Sequence, residues 1–166
     1  MESSIGYSMK LNEIHNKDPK DTGRVICGFP GVGKSTLFNE LKDSKKKVLD
    51  SDSSTFDKSE FPENYIKHIK DKTSKGYTIL ASSHDVVRDA LIKEKIPFTL
   101  VYPDKSLKDE YLKRYKERGS PKEFQNLLDK KWDEWIGQCD ALDNKLVTKV
   151  KLKAGEFVDS DKVGVK

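Results

Sequence analysis

Two cysteines are all that this 166-residue chain contains, and no metal-ligand spacing relates them. Cys27 lies in a predicted strand and Cys139 in a predicted helix, so we expect two reduced thiols, with a structural disulfide as the alternative. No apolar run approaches the length that crosses a bilayer, and the N-terminus lacks a signal-peptide pattern. We therefore expect a soluble, cytoplasmic protein with no membrane partner.

The chain also lacks an excess of charge of one sign. Its 32 basic and 28 acidic residues leave a net charge of +4. This balance suits a phosphorylated ligand, whereas a duplex-binding protein usually shows a strong basic excess. The polar residues 1–22 predict an N-terminal arm, with a disordered leader as the alternative. Without repeats or low-complexity linkers, residues 23–166 are predicted to form one domain.

A glycine-rich stretch is the strongest signal that the sequence does contain. Residues 28–36 read Gly-Phe-Pro-Gly-Val-Gly-Lys-Ser-Thr, which satisfies the Walker A pattern G-x-x-x-x-G-K-[ST]. In such a loop backbone N–H groups wrap a nucleotide phosphate, and glycine permits the bend and the close approach. Lys34 would reach the β- and γ-phosphates, and the Ser35 hydroxyl would ligate Mg²⁺. The predicted nucleotide-contacting residues are Gly28, Pro30, Gly31, Val32, Gly33, Lys34, Ser35 and Thr36.

The flanking sequence supplies the context that this motif requires. Residues 24–27 form an apolar strand pattern before the loop, and residues 36–41 form an amphipathic helix pattern after it. A helix that starts at Lys34 would aim its positive dipole end at the same phosphates. The alternative is a chance glycine-rich turn between core elements. We therefore predict that the chain binds a nucleoside triphosphate with Mg²⁺.

Strand and helix patterns alternate along the rest of the chain, which predicts an α/β fold with a parallel sheet covered on both faces. Further strands are predicted at residues 48–49, 77–81, 97–103 and 146–152. A helix is predicted from Phe61-Pro62 to about Lys75, where Gly76 ends it. Trp132 and Trp135 belong to a later helical apolar stripe, so both are predicted to lie in the core rather than to stack on a base.

Two aspartates follow the second predicted strand. Asp50 and Asp52 alternate, so on a strand they would face the same side, at the edge where ligands of open α/β sheets bind. Asp52 could act as general base on an acceptor hydroxyl, or could orient water on Mg²⁺. The alternative is that both residues only cap the turn after the strand. We favour a function for both, with Asp50 contacting substrate.

Two arginines share one face at the end of a cationic helix. Arg114 and Arg118 are four residues apart, and Gly119 frees the chain directly after them. Guanidinium groups in this position suit a short lid that closes over phosphates and stabilises the transferring phosphoryl group. The alternative is a pair of solvated cations that the dipole at the C-terminal end of the helix favours.

The junction after the third strand reads Ser82-Ser83-His84-Asp85. Ser83 or Asp85 is predicted to be the N-cap of the following helix, and His84 to be a surface or capping residue. Arg88, one turn into that helix, could point back across the cleft at an acceptor phosphate.

With these residues assembled, the chain resembles small P-loop kinases of the nucleoside monophosphate kinase-like superfamily, as found in bacteriophages and bacteria. The resemblance runs from about Arg24 to the last strand, and rests on residues 28–36 and on Arg114-x-x-x-Arg118-Gly119. It implies a three-layer αβα fold with five parallel strands in the order 2-3-1-4-5, and an acceptor bound between the second-strand region and the lid. The resemblance thus implies a kinase that uses ATP and Mg²⁺.

The sequence departs from that superfamily at two places. Residues 82–85 stand where monophosphate kinases have an Asp-Gly-φ-Pro-Arg sequence. Residues 49–52, Leu-Asp-Ser-Asp, resemble the acidic motif of hydroxyl-directed kinases such as polynucleotide kinases and zeta-type toxins, in which an aspartate deprotonates the attacking hydroxyl.

The sequence therefore predicts an ATP- and Mg²⁺-dependent phosphotransferase that acts on a nucleoside monophosphate or a similar small phosphorylated acceptor. Its predicted catalytic residues are Lys34, Asp52, Arg114 and Arg118, with Ser35 and Asp52 on the metal. One alternative is a kinase of a hydroxyl on a nucleoside, a sugar or a nucleic-acid end, with Asp52 as base. The other is an ATP-binding regulatory switch, although the chain has no Asn-Lys-x-Asp guanine signature.

Overall fold

Five parallel strands form one sheet in the order β2-β3-β1-β4-β5, as the resemblance implied. The structure is a computed structural model and describes residues 23–165, so the predicted arm over residues 1–22 lies outside the described residues. The strands are β1 (Val25–Gly28), β2 (Val48–Asp50), β3 (Thr78–Ser82), β4 (Phe98–Pro103) and β5 (Val147–Leu152).

The central strands are continuous apolar runs because both of their faces are covered. Every residue of β1 is buried, and Val25 is in register with Ile79 of β3. The edge strand β5 instead mixes polar and apolar residues: its three polar residues are exposed, and only Leu152 is buried. The predicted positions of all five strands are confirmed to within about two residues.

Helices connect the strands. They are α1 (Lys34–Asp43), α2 (Glu63–Ser74), α3 (Asp85–Lys93), α4 (Lys108–Glu117) and α5 (Lys122–Ala141). The chain moves from β1 towards one sheet edge to form β2, and from β3 towards the other edge to form β4. Right-handed crossovers in both directions place helices on both faces of the sheet.

Apolar helix faces close the core against the sheet. Leu37 and Leu41 of α1, Tyr65 and Ile69 of α2, and Trp132 of α5 are each at most 1% exposed. The prediction of a core position is therefore confirmed for Trp132. Among residues 23–165, no helix is both long and apolar enough to cross a membrane.

The predicted helix start after β3 is wrong in its detail. His84 precedes the first turn of α3 in the capping position, and its side chain makes no capping bond. Asp85, already inside the helix, accepts a hydrogen bond from Val86 N at 2.8 Å. Ser82 Oγ accepts a hydrogen bond from His84 N. This hydroxyl therefore stabilises the turn that precedes α3 and not the first turn of the helix.

Candidate functional site

The loops after β1, β2 and β3 meet at the carboxyl edge of the sheet and line a cleft of about 1080 Å³. The chain leaves β1 and β3 in opposite directions, and ligands of open α/β sheets bind at such a reversal of strand order. The volume lies at the upper end of the range for small-molecule sites, so it can hold a nucleotide together with a second small molecule.

The Walker A loop has the backbone shape of a phosphate cradle. Gly31 and Gly33 have φ angles of 91° and 101°, in a region that side chains disfavour. Neither of their N–H groups has a hydrogen-bond partner among the described residues. Helix α1 begins directly afterwards, and the first N–H groups of a helix have no intrahelical acceptor. The loop therefore presents free donors and a positive helix end to an anion.

Lys34 extends from the first turn of α1 along the same edge. Its Nζ lies 3.5 Å from the carbonyl oxygen of Ala81 on β3, a long contact that leaves most of its donors free. A Cβ at Gly28 would come within 2.8 Å of the Lys34 side chain. The glycine at this position thus makes room for the lysine stem beneath the loop.

A nucleotide with Mg²⁺ fits these residues. Ser35 and Thr36 lie in the first turn of α1 and line the cleft. Within residues 23–165 no three His, Cys, Asp or Glu side chains are grouped to hold a metal alone. Mg²⁺ commonly binds through one or two protein oxygens together with nucleotide phosphates, which is the arrangement that Ser35 and a neighbouring carboxylate offer.

Asp50 and Asp52 both line the cleft, although strand β2 ends at Asp50. Asp52 Oδ1 accepts hydrogen bonds from Ser54 N at 2.9 Å and from Ser54 Oγ at 2.8 Å. These bonds, and to a smaller extent the charge of Lys34, hold the pKa of Asp52 below its ordinary value. Asp52 therefore caps a turn, as the simpler interpretation expected. Its Oδ2 still has no partner among the described residues, so one ionised oxygen remains free at the cleft.

The two predicted lid arginines lie in different surroundings. Arg118 is exposed at the end of α4, lines the cleft and donates from Nε to Ser120 Oγ at 3.0 Å. Arg114 is only 14% exposed in its side chain and donates to Gly31 O, Glu110 and Glu156 O. A contact of either residue with a transferring phosphoryl group stays a prediction.

Arg88 is a buried cation without an acidic partner. It is 6% exposed, and it lines the cleft from α3. Its Nε donates to Ser83 O at 2.8 Å and one terminal nitrogen donates to Gln138 Oε1 at 3.3 Å. No carboxylate among residues 23–165 lies within ion-pair distance of it. Because an unpaired buried charge is costly, this guanidinium favours an anion in the cleft.

Several residues that line the cleft were not predicted. Glu134 and Trp135 are adjacent on α5, Gln138 follows about one turn later, and all three line the cleft. The core prediction holds for Trp135 only in part: it packs against the core but is half-buried at the cleft, with His84 6.5 Å away between ring centroids. The spacing of 134, 135 and 138 is the signal that could have found this second face of the helix.

Both cysteines are buried and free, as the prediction of reduced thiols expected. Burial raises the pKa of Cys27 to about 12 and that of Cys139 to about 11. Neither thiol is therefore a nucleophile at neutral pH.

Comparison with known proteins gives a family match and several structural likenesses. The model of the 50S ribosome-binding GTPase family matches residues 24–71, which span β1, the Walker A loop, α1, β2 and most of α2. A gluconokinase from Sinorhizobium meliloti 1021 is similar in structure with 13% identity and a TM-score of 0.45, covering 81% of this chain and 84% of that chain. No curated protein matches the sequence.

The family match covers less than half of the chain, and it coincides with the nucleotide-binding segment. Together with the strand order and the loop geometry, it identifies a P-loop nucleotide-binding fold. The part of the cleft that α3 and α5 line lies beyond the matched residues.

Proposed function

We propose that this P-loop nucleotide-binding chain is an ATP- and Mg²⁺-dependent phosphotransferase that acts on a small phosphorylated acceptor, with a nucleoside monophosphate as the leading candidate. One observation carries the proposal. The cleft that begins at the Walker A loop continues to Arg88, a buried guanidinium that has no acidic partner among the described residues.

The donor triphosphate would lie along the loop. Free backbone N–H groups of Gly31 and Gly33 would hold a phosphate, and Lys34 would neutralise the terminal charge. Ser35 and Asp52 would hold Mg²⁺, which would neutralise charge on the phosphates. These residues supply positioning and charge rather than covalent chemistry.

The acceptor would bind at the far end, with its phosphate at Arg88. Two of the five guanidinium N–H groups are engaged by Ser83 O and Gln138, and the remaining donors are available to a ligand. Arginine suits phosphate because its planar fork gives two parallel charge-assisted hydrogen bonds. The Trp135 ring, which lines the same cleft, would offer a flat apolar surface to a base.

Arg118 is the arginine best placed to reach a transferring phosphoryl group. It lines the cleft, is exposed, and ends a helix that Gly119 follows with a φ of 79°. Its one side-chain hydrogen bond, to Ser120, is local and can be exchanged for a phosphate oxygen. Its guanidinium would then stabilise charge that develops in the transition state.

A second candidate is a kinase of an acceptor hydroxyl, with Asp52 as general base. The free Oδ2 of Asp52 and its ionised state favour it, because a base needs an unprotonated oxygen facing the acceptor. A phosphate acceptor needs no such base. An acceptor that carries both a hydroxyl and an anionic group would use Asp52 and Arg88 together.

An acceptor screen tests the proposal and separates it from its alternatives. ADP formation from Mg²⁺-ATP is measured with ribo- and deoxynucleoside monophosphates, nucleosides, simple sugars, sugar phosphates and 5′-hydroxyl oligonucleotides. We expect acceptor-dependent ADP with at least one phosphorylated small molecule. Activity confined to uncharged nucleosides, sugars or oligonucleotide ends would contradict the phosphate assignment. ATP binding without acceptor-dependent ADP would favour a regulatory switch instead.

A further inference from the structure

We propose that Arg114, although it lines the cleft, is a positioning residue that fixes the shape of the phosphate-binding loop through Gly31 O, rather than a group that touches the transferring phosphoryl. The inference uses the nucleotide binding of the proposed function, but not the phosphotransfer reaction. It assigns the same role to Tyr115 and to the chain that follows β5.

Three consecutive carbonyl groups of the loop are each held by a donor from outside it. The oxygen of Pro30 accepts from Tyr115 Oη at 2.7 Å, and that of Gly31 accepts from Arg114 at 2.7 Å. The oxygen of Val32 accepts from the backbone N–H of Val158 at 2.8 Å. These donors come from α4 and from the segment after β5, neither of which is near the loop in sequence.

Holding these carbonyl oxygens also aims the N–H groups of the loop. In a planar trans peptide, the C=O of one residue and the N–H of the next point in opposite directions. With the oxygens of residues 30 and 32 turned towards the outer donors, the N–H groups of Gly31 and Gly33 point the other way. Those are the two N–H groups that have no partner among residues 23–165. The outer contacts thus hold the cradle in the shape that receives a phosphate.

The guanidinium of Arg114 is confined on both faces and at its edge. It lies 4.3 Å from the Tyr111 ring centroid and 4.0 Å from that of Phe157. Besides Gly31 O, it donates to Glu110 Oε2 at 2.6 Å and to Glu156 O at 3.1 Å. To contact a transferring phosphoryl group it would have to give up these partners together. Arg118 also lies over two rings, 5.1 Å from the Tyr115 centroid and 5.7 Å from that of Phe124. It is exposed, however, and among residues 23–165 it has no ion pair and no bond to a backbone carbonyl, only a hydrogen bond to Ser120 Oγ.

Two glycines of the loop pack closely against aromatic side chains from outside the loop. A Cβ at Gly31 would lie 2.9 Å from the Tyr115 ring, and a Cβ at Gly33 would lie 3.2 Å from the Phe157 ring. Glu110 also accepts from Gly155 N at 3.0 Å, so one carboxylate connects Arg114 with the segment after β5. The loop, α4 and this segment therefore form one connected unit.

The test combines hydrogen exchange of the nucleotide-free protein with ADP affinity from calorimetry. Arg114→Met removes the donors and keeps an apolar stem between the two rings. We expect exchange at residues 31–35 to accelerate and ADP affinity to fall about tenfold, since a hydrogen bond from a charged donor is lost. Tyr115→Phe, which removes one hydroxyl, is expected to weaken ADP binding about threefold.

Lys113→Met is the matched control, because it removes an exposed charge of the same helix that makes no loop contact. It is expected to change ADP affinity by less than about twofold. Arg114→Lys keeps the positive charge but lacks the planar guanidinium group. Its ADP affinity should therefore lie between those of Arg114→Met and the wild type.

The proposal is overturned if Arg114→Met leaves both exchange and ADP affinity as in the wild type, or if Lys113→Met weakens ADP binding equally. If Arg114→Met does not fold, unchanged exchange and affinity in Tyr115→Phe overturn it. A wild-type protein that binds no ADP would contradict the proposed function. The exchange comparison would still decide the role of Arg114.

Discussion

At the scale of single residues, Lys34 tests the donor end of the cleft. Replacing it with Met keeps the stem that lies over Gly28 and removes the charge. We expect ADP formation to fall by about 10²-fold or more, since the ammonium group stabilises phosphate charge in the transition state. Lys42→Met, on the exposed side of the same helix, is the control. Full turnover by Lys34→Met would contradict the loop assignment.

Asp52 separates the two acceptor chemistries. If the acceptor is a hydroxyl, Asp52→Asn should lower kcat by about 10²–10⁴-fold, because a general base is lost. If the acceptor is a phosphate, the loss should be smaller and should be partly recovered at higher Mg²⁺ concentration, because only a metal-orienting group is removed. Steady-state kinetics with each acceptor from the screen, at two Mg²⁺ concentrations, distinguish these results.

The pKa of Asp52 also sets an expectation for pH. Its folded-state pKa is held below the ordinary value of about 4 by the Ser54 hydrogen bonds. The carboxylate is therefore ionised throughout pH 6–9, and its stabilising contribution is lost only as the pH falls through the lowered pKa. We expect no loss of kcat from this group between pH 9 and pH 6. A decline in wild-type kcat across that window that Asp52→Asn abolishes would contradict the assignment.

At the scale of elements, helix α5 packs against the core with one face and lines the cleft with another. Trp132 is fully buried and its Nε1 donates to Lys105 O, whereas Trp135 is half-buried at the cleft. Trp132→Ala should lower the free energy of unfolding by about 3–5 kcal/mol, while Trp135→Ala should cost clearly less. Urea denaturation measures both. Equal losses would contradict the division of the helix into a core face and a cleft face.

The same helix shows what sequence patterns can and cannot predict. An apolar stripe at helical spacing predicts burial, and Trp132 confirms it. The stripe does not show which of its apolar residues lies at the margin of a cleft. The exposure of such a residue depends on where the neighbouring elements end. Trp135 lies at that margin, so its partial exposure depends on the elements around it and not on its own segment.

At the scale of the whole molecule, strand alternation predicted a parallel sheet and the Walker A motif predicted nucleotide binding. The order of the strands was predicted only by the resemblance to P-loop kinases, because alternation alone does not fix it. The contacts behind the loop could not be predicted. Phe157 and Val158 reach Gly33 and Val32 across more than a hundred residues, and no local pattern encodes such a pairing.

The sheet also explains why the cleft has two chemically distinct ends. The loop after β1 supplies N–H donors and Lys34, whereas the helix after β3 supplies Arg88. Arg114, Arg118 and the carboxylates after β2 line the same cleft. This arrangement is the physical basis of the proposal that a donor and an anionic acceptor bind together.

Steady-state kinetics of Arg88→Met, with the acceptor found in the screen, test the central claim most directly. A buried arginine can be replaced by an apolar residue of similar length without unfolding the chain. We predict that the acceptor KM rises at least about tenfold, with the ATP KM changed less than about twofold, because only the acceptor loses charged hydrogen bonds. An acceptor KM equal to that of the wild type would contradict the claim that Arg88 binds the acceptor anion.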